Sequence, residues 1–257
     1  MPEHSTTHPL GHTRTVVAAD HALVAEDTHV TAPLHGWEAA EGAVLISPAM
    51  GAMGRGPGFT MAVATLGGGA RLATRGHGRE RVVYVLAGGL SVEGTGLTAD
   101  SWAYLPAGER VEMAVAESAR VLIFEKAYAA SEGVAAPGLL HGHADDTPAE
   151  PFLGDPGARL QTLLPGDASF DLAVNRFSFD PGVALPLVES HHNEHGLFMQ
   201  HGRGVYRLGA GPTESWYPVQ AGDAIWMAPF CPQWFVAMGP EPATYLYCKN
   251  VNRDVMA

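Results

Sequence analysis

The chain has 257 residues, 46% of them hydrophobic, with a formal net charge of −12 and a pI near 5.4. That acidity argues against nucleic acid or an anionic membrane as the main partner. The length leaves room for one large domain or two of about 120 residues, and 31 glycines with 19 prolines suit a fold of many short strands and turns.

Residues 1–13 carry His4, His8 and His12, but Pro2, Pro9 and Gly11 oppose a helix there, so a loosely draped arm is expected. The first 20 residues contain no apolar signal segment. No apolar run of about 18 residues follows anywhere in the chain, so the expectation is a soluble, cytoplasmic protein. Short strands are predicted at Thr15–Val17, Ala22–Ala25, Leu34–Trp37 and Ala43–Ile46. Met50 to Gly58 is a glycine-rich loop without the Gly-Lys-Ser/Thr ending of a phosphate loop.

From Phe59 the pattern becomes regular. Strands are predicted at Phe59–Thr65, Val82–Ala87, Gly89–Val92, Ser101–Leu105 and Val121–Lys126, and no helical periodicity interrupts them. Residues 136–155 read as a linker, with His141 and His143 as incidental histidines. Strands resume at Phe170–Phe179, Leu197–Gln200, Gly204–Leu208, Trp216–Val219, Asp223–Met227, Trp234–Val236 and Thr244–Lys249. Cys231 and Cys248 provide no disulfide framework and read as buried, reduced residues.

The two strand-rich blocks look like one unit written twice. Gly68 to Arg81 aligns with Gly182 to His195 at an offset of 114 residues. The punctuation continues, with Asp100 and Leu105-Pro106 matched to Asp223 and Ala228-Pro229. The expected organisation is an N-terminal barrel over residues 1–135, a linker over 136–155 and a C-terminal barrel over 156–257.

Chemistry concentrates in Glu189-Ser190-His191-His192-Asn193-Glu194-His195. In an extended strand Glu189, His191 and His195 share a face. One carboxylate and two imidazoles there suit a divalent cation of N/O preference, open between Mn²⁺, Fe²⁺, Ni²⁺ and Zn²⁺. At the positions matching Glu189, His191, His195 and Gln233 the first block has Arg75, His77, Arg81 and Arg110. Arginine offers no acceptor, so the first barrel is expected to be metal-free.

The run Gly182 to Gly202 around Glu189, His191 and His195 resembles the first cupin motif, and Gly222-Asp223 to Pro229-Phe230-Cys231-Pro232-Gln233 resembles the second. Glu189 stands where cupins usually have the first His, His195 where they have Glu, and Gln233 where they have the last His. This inverted set, with Gly202-Arg203-Gly204-Val205-Tyr206 and the run Tyr245 to Asp254, is similar to the bicupin (S)-ureidoglycine aminohydrolase family. The resemblance implies an all-β bicupin, two tandem cupin (double-stranded β-helix, jelly-roll) barrels. It implies Mn²⁺ on Glu189, His191, His195 and Gln233, and a small-molecule substrate, ureidoglycine, contacted by Glu189, Gln233, Tyr245, Lys249 and Tyr206. It further implies hydrolysis of (S)-ureidoglycine to (S)-ureidoglycolate and ammonia in purine (allantoin) breakdown, with Glu189 and Lys249 as catalytic groups, in a homo-oligomer. The competing readings are a cupin oxygenase or isomerase, which Gln233 disfavours, and a non-catalytic ligand-binding bicupin.

Overall fold

A computed structural model describes residues 13–38, 40–50, 56–74 and 78–253. His4, His8, His12, Arg75, His77 and most of the glycine-rich run after Met50 lie outside the described residues. In chain order the strands begin with β1 (Val16–Val17), β2 (His21–Val24), β3 (Thr31–Pro33), β4 (Trp37–Glu38), β5 (Glu41–Ile46), β6 (Thr60–Gly67), β7 (Arg71–Thr74) and β8 (Arg79–Val92). Next come β9 (Thr95–Thr98), β10 (Ser101–Leu105), β11 (Glu112–Ala114), β12 (Ser118–Ala127), β13 (Leu140–His143), β14 (Glu150–Phe152), β15 (Asp155–Thr162) and β16 (Leu172–Phe179). The chain closes with β17 (His195–His201), β18 (Arg203–Leu208), β19 (Ser215–Gln220), β20 (Ala224–Met227), β21 (Gln233–Ala237) and β22 (Ala243–Asn250). Among the described residues the only helical segments are short 3-10 turns.

The first half forms an 11-stranded assembly in which β8 runs through both layers, pairing β10 and β12 early and β9 and β11 late. The second half forms an eight-stranded sheet, β1-β2-β20-β17-β22-β16-β15-β14, faced by a three-stranded sheet, β19-β18-β21. Equivalent backbone kinks mark the duplication. Gly88 has φ +73° and Gly202 has φ +72°. A Cβ at either would strike a carbonyl of the neighbouring strand, Ser118 O at 2.1 Å or Pro242 O at 2.5 Å. Only glycine meets both demands. In the second half the kink separates β17 from β18, whereas β8 passes through it unbroken.

Strands cross the boundaries expected from the sequence, and β1 follows β2 into the second barrel's sheet. β2 precedes the first barrel yet pairs with β20 of the second, Leu23 opposite Ile225. β13, inside the stretch expected to be a linker, pairs with β10 of the first, His141 opposite Ala103. β10 and β20 are equivalent strands, so each barrel receives the strand that precedes the other. His143 spends both ring nitrogens on backbone, accepting from Asp145 N–H at 3.1 Å and facing Ala99 O at 3.0 Å.

Three apolar cores result. One fills each barrel, around Trp37 and Val85 in the first and Phe179 and Phe235 in the second. The third is the seam between the barrels, built from Tyr84, Tyr104 and Phe124 on one side and Phe198, Trp226 and Leu246 on the other. Strands at the seam are buried on both faces, which is why Tyr245-Leu246-Tyr247-Cys248 reads as an unbroken apolar run. Tyr245 and Tyr247 face the barrel interior, while Leu246 and Cys248 face the seam.

Register corrects two correspondences drawn from the sequence. Asp100 N–H bonds Val85 O at 2.8 Å and Gly222 N–H bonds Met199 O at 2.9 Å. Asp100 therefore matches Gly222 and not Asp223, and its φ of +64° fits a glycine position. Likewise Thr74 N–H bonds Val111 O at 3.0 Å as Glu189 N–H bonds Gln233 O at 2.9 Å. The first-barrel counterparts of Glu189 and Gln233 are Thr74 and Val111, so Arg75 and Arg110 are each one residue out. A one-residue slip is easily made by eye and reverses the face on which a strand side chain lies.

Candidate active site

The second barrel encloses a cavity of about 130 Å³, lined by Glu189, His191, His195, Tyr206, Gln233, Tyr245 and Lys249 together with Phe152, Leu160, Phe177, Leu197 and Tyr247. All seven residues singled out in the sequence face this one space. Their route there differs from the expected strand. Glu189 makes an isolated antiparallel bridge with Gln233, with reciprocal 2.9 Å hydrogen bonds. Residues 190–194 are non-ladder chain, and His195 opens β17. Alternation therefore does not operate through the segment, and Asn193 leaves it to donate from Nδ2 to Asn250 O at 2.6 Å.

Strand pairing sets the remaining members. Glu189 and Gln233 form a directly opposed pair, which puts their side chains next to each other. His195 is opposed by Lys249 on β22. Tyr245, Tyr247 and Lys249 alternate along β22 toward the interior. Tyr206 enters from β18, its ring centroid 6.3 Å from that of Tyr245.

The Gln233 side-chain amide lies 3.1 Å from His191 Nε2 and 3.3 Å from His195 Nδ1. The two imidazole centroids are 4.3 Å apart, and the Tyr247 ring lies 5.3 Å from that of His195. Burial, with the Lys249 charge assisting, lowers the His191 pKa, and burial beside His191 lowers that of His195 much further. Both rings are thus neutral near pH 7, the form that ligates metal. Burial raises the Glu189 carboxyl pKa, an effect that the Lys249 ammonium partly offsets.

The donor types suit a divalent cation of borderline hardness, but the ligand atoms of Glu189, His191 and His195 do not all lie within 4.8 Å of one another. His191 Nδ1 and His195 Nε2 are buried without a partner, and turning the Gln233 amide about its terminal torsion presents Oε1 in place of Nε2. With Glu189 this supplies two nitrogens and two oxygens and no thiolate. A tighter group of ligand-type atoms lies elsewhere: Asp20, His21 and Cys231, within 4.8 Å of one another. Its groups are already engaged. His21 bonds Asp20 at 2.9 Å and Tyr217 OH at 2.8 Å, and burial pushes the Cys231 thiol up to about 11.

Several cavity residues escaped the sequence reading. Tyr247 was legible from the period-two series Tyr245, Tyr247, Lys249. Phe152 was not, because it lies in the stretch expected to be a linker and reaches the site through β14, packing its ring 4.9 Å from that of Phe177.

A duplicated, strand-exchanged pair of β-barrels with a polar N/O cluster inside one of them defines a bicupin. No protein-family model matches the chain. A probable (S)-ureidoglycine aminohydrolase of Oryza sativa subsp. japonica is 42% identical over 251 residues, covering 95% of this chain and 77% of the relative. The (S)-ureidoglycine aminohydrolase of Arabidopsis thaliana is 38% identical, covering 98% of this chain and 83% of the relative. The crystal structure of a putative glyoxylate-induced protein from Pseudomonas aeruginosa superposes with a TM-score of 0.82 at 25% identity, covering 98% and 97% of the two chains. The chain belongs to the (S)-ureidoglycine aminohydrolase family.

Proposed function

We propose that this enzyme hydrolyses (S)-ureidoglycine to (S)-ureidoglycolate and ammonia, with Mn²⁺ held by Glu189, His191, His195 and Gln233. The observation that carries the reading is the convergence of that donor set, Tyr206, Tyr245 and Lys249 on one small buried cavity, in a chain of this family. A bound cation supplies Lewis acidity and a template for substrate and water.

The chain's own groups do the rest. The Lys249 ammonium binds the substrate carboxylate or serves the departing amine, and the tyrosine hydroxyls orient the ureido group. In the proton-transfer arrangement, Glu189 takes a proton from water as the water oxygen bonds the substrate α-carbon. Lys249 gives a proton to the amine as its C–N bond breaks and ammonia leaves. Return of the proton from Glu189 to Lys249 restores both groups, so the sum is water in and ammonia out. Phe152, Leu160, Phe177 and Leu197 keep the cavity wall apolar, which strengthens each of these charge interactions. The proposal extends to the setting: purine (allantoin) breakdown, in the cytoplasm, by a homo-oligomer. Among the described residues no helix is long and apolar enough to cross a membrane.

The test is ammonia release from freshly generated ureidoglycine by metal-stripped protein, with and without added Mn²⁺, against a Glu189→Ala control that corrects for spontaneous decay. Metal-dependent release with (S)-ureidoglycolate as product is the expected result. Absence of acceleration with metal bound refutes the substrate assignment and leaves the metal site standing.

A further inference from the structure

The chain on either side of His195 is tied to the other barrel. Glu194 turns its carboxylate out of the cavity and into the seam. Its Oε1 accepts the Gly58 N–H at 2.9 Å, with Oε2 sharing that donor at 3.1 Å, and Oε2 also accepts the Trp226 indole N–H at 3.2 Å. Gly58 belongs to the first half of the chain. A Cβ on it would sit 2.5 Å from Glu194 Oε1, so any side chain there would push the carboxylate aside. One residue beyond the histidine, Gly196 lies against Phe59, where a Cβ would come within 2.3 Å of Cζ. Asn250 secures the turn from the side of β22: its Oδ1 accepts the Glu194 N–H at 3.0 Å.

The equivalent residue in the first half is Glu80, which occupies the same place relative to its strand and accepts Tyr104 OH at 2.8 Å. Each half thus uses one glutamate at the same register to meet the seam. Only the Glu194 copy stands beside the polar cavity cluster. Residues 190–194 lack a ladder of their own, so seam contacts must supply the rigidity that strand pairing does not. Partners that orient metal ligands from outside are worth about 10–100-fold in metal affinity.

We propose that Glu194 is a positioning residue through which the metal-free barrel fixes the turn bearing His191 and His195, so that both imidazoles reach Gln233 together. The proposal rests on the metal reading of the cavity. It gives the first barrel a specific part in the site without any ligand of its own.

The experiment compares the full-length protein with its Glu194→Ala, Glu194→Gln and Trp226→Phe variants. Three quantities are read: Mn²⁺ affinity by titration, the Mn²⁺ electron paramagnetic resonance line shape, and amide hydrogen exchange of the metal-free proteins. Glu194→Ala should lose about tenfold or more in affinity and broaden the spectrum. Its exchange should quicken at Gly58 and over residues 194–196 while the β8, β12 and β16 amides keep their protection. Glu194→Gln retains a carbonyl acceptor and should recover most of the affinity, and Trp226→Phe should fall between. Wild-type affinity, spectrum and exchange in Glu194→Ala overturn the proposal. So does a loss of protection spread evenly over both barrels, which would mark a merely structural residue. If the wild-type protein takes up no Mn²⁺, the metal reading has failed, and localised exchange at the turn then decides the role of Glu194 by itself.

Discussion

In the first barrel Arg81 Nε donates to Glu125 Oε2 at 2.6 Å, at the positions where the second barrel has His195 and Lys249. The ladder registers are the same, Arg81 opposite Glu125 and His195 opposite Lys249. One barrel fills this position with a closed ion pair, capped by the Trp37 ring 5.5 Å from the guanidinium. The other leaves an imidazole and an ammonium facing a cavity. Thr74 and Val111 stand in the first barrel where the second has Glu189 and Gln233, and the Glu125 carboxylate there is taken up by Arg79 and Arg81.

Arg81 is fully buried, so breaking its pair strands a charge. Glu125→Ala should cost about 3–5 kcal/mol, measured by urea denaturation. Replacing Arg81 and Glu125 together by leucine should recover most of that loss, because the buried charge is then gone and only the partly exposed Arg79 loses its carboxylate.

At the seam, Glu80 Oε1 and Asp171 Oδ1 are both buried without a donor, and each carboxyl shifts the titration of the other. One shared proton satisfies both. Burial, then Asp171, pushes the Glu80 carboxyl up to about 9, against pulls from Tyr104 and Lys126. Burial would also raise Asp171, but Glu80, the Ala129 N–H and Lys126 hold it below the usual range. For Glu80 the folded pKa exceeds the unfolded one. Its stabilisation is therefore complete below the unfolded value near 4.5 and is lost as pH rises toward about 9. Glu80→Gln mimics the protonated acid. It should flatten the fall in stability across that window and make the variant the more stable protein at pH 8, read from denaturation midpoints at a series of pH values.

The contact between Gly196 and Phe59 predicts an overpacked variant. Gly196→Ala should destabilise by about 1–3 kcal/mol. Adding Phe59→Ala should relieve part of that cost, so the double-mutant cycle on thermal or urea unfolding should show coupling between residues on opposite barrels.

If Lys249 transfers the proton, Lys249→Met should lower kcat by about a hundredfold or more while Mn²⁺ affinity stays within a few-fold. If the Tyr245 hydroxyl contacts substrate as proposed, the effect of Tyr245→Phe should appear mainly in KM. Steady-state kinetics with a metal-binding control separate the two.

Mn²⁺ should also stabilise the fold. At a free concentration one hundred times Kd the gain is about 2.7 kcal/mol. Chelation should reverse it, and His195→Ala should abolish the shift. Calorimetric melting with Mn²⁺ and with Mg²⁺ tests both the linkage and the preference for a partly nitrogen donor set.

Much of this protein was legible in its residues. Glycine and proline punctuation with no helical period announced an all-β chain. The matched runs from Gly68 and from Gly182 announced a duplication, and Gly88 with Gly202 shows why: both need a positive φ at a point where no Cβ fits. The site residues were legible because their chemistry is local and unusual, a carboxylate and two imidazoles within seven positions, with an amide opening one later strand and a lysine near the end of another.

Tertiary structure alone decided the rest. The exchange of β2 and β13 depends on which sheet edge each short strand meets, and edges are created only by folding. The one-residue slips at Asp100, Arg75 and Arg110 became visible only through ladder hydrogen bonds, since glycine and proline spacing does not fix register. His191 reached the cavity from a turn and not from a strand face, because residues 190–194 are held by Asn250, Gly58 and Trp226, all distant in sequence. Residue type determined which of the two barrels carries the donor set, whereas long-range contacts decided how those side chains come to share one cavity.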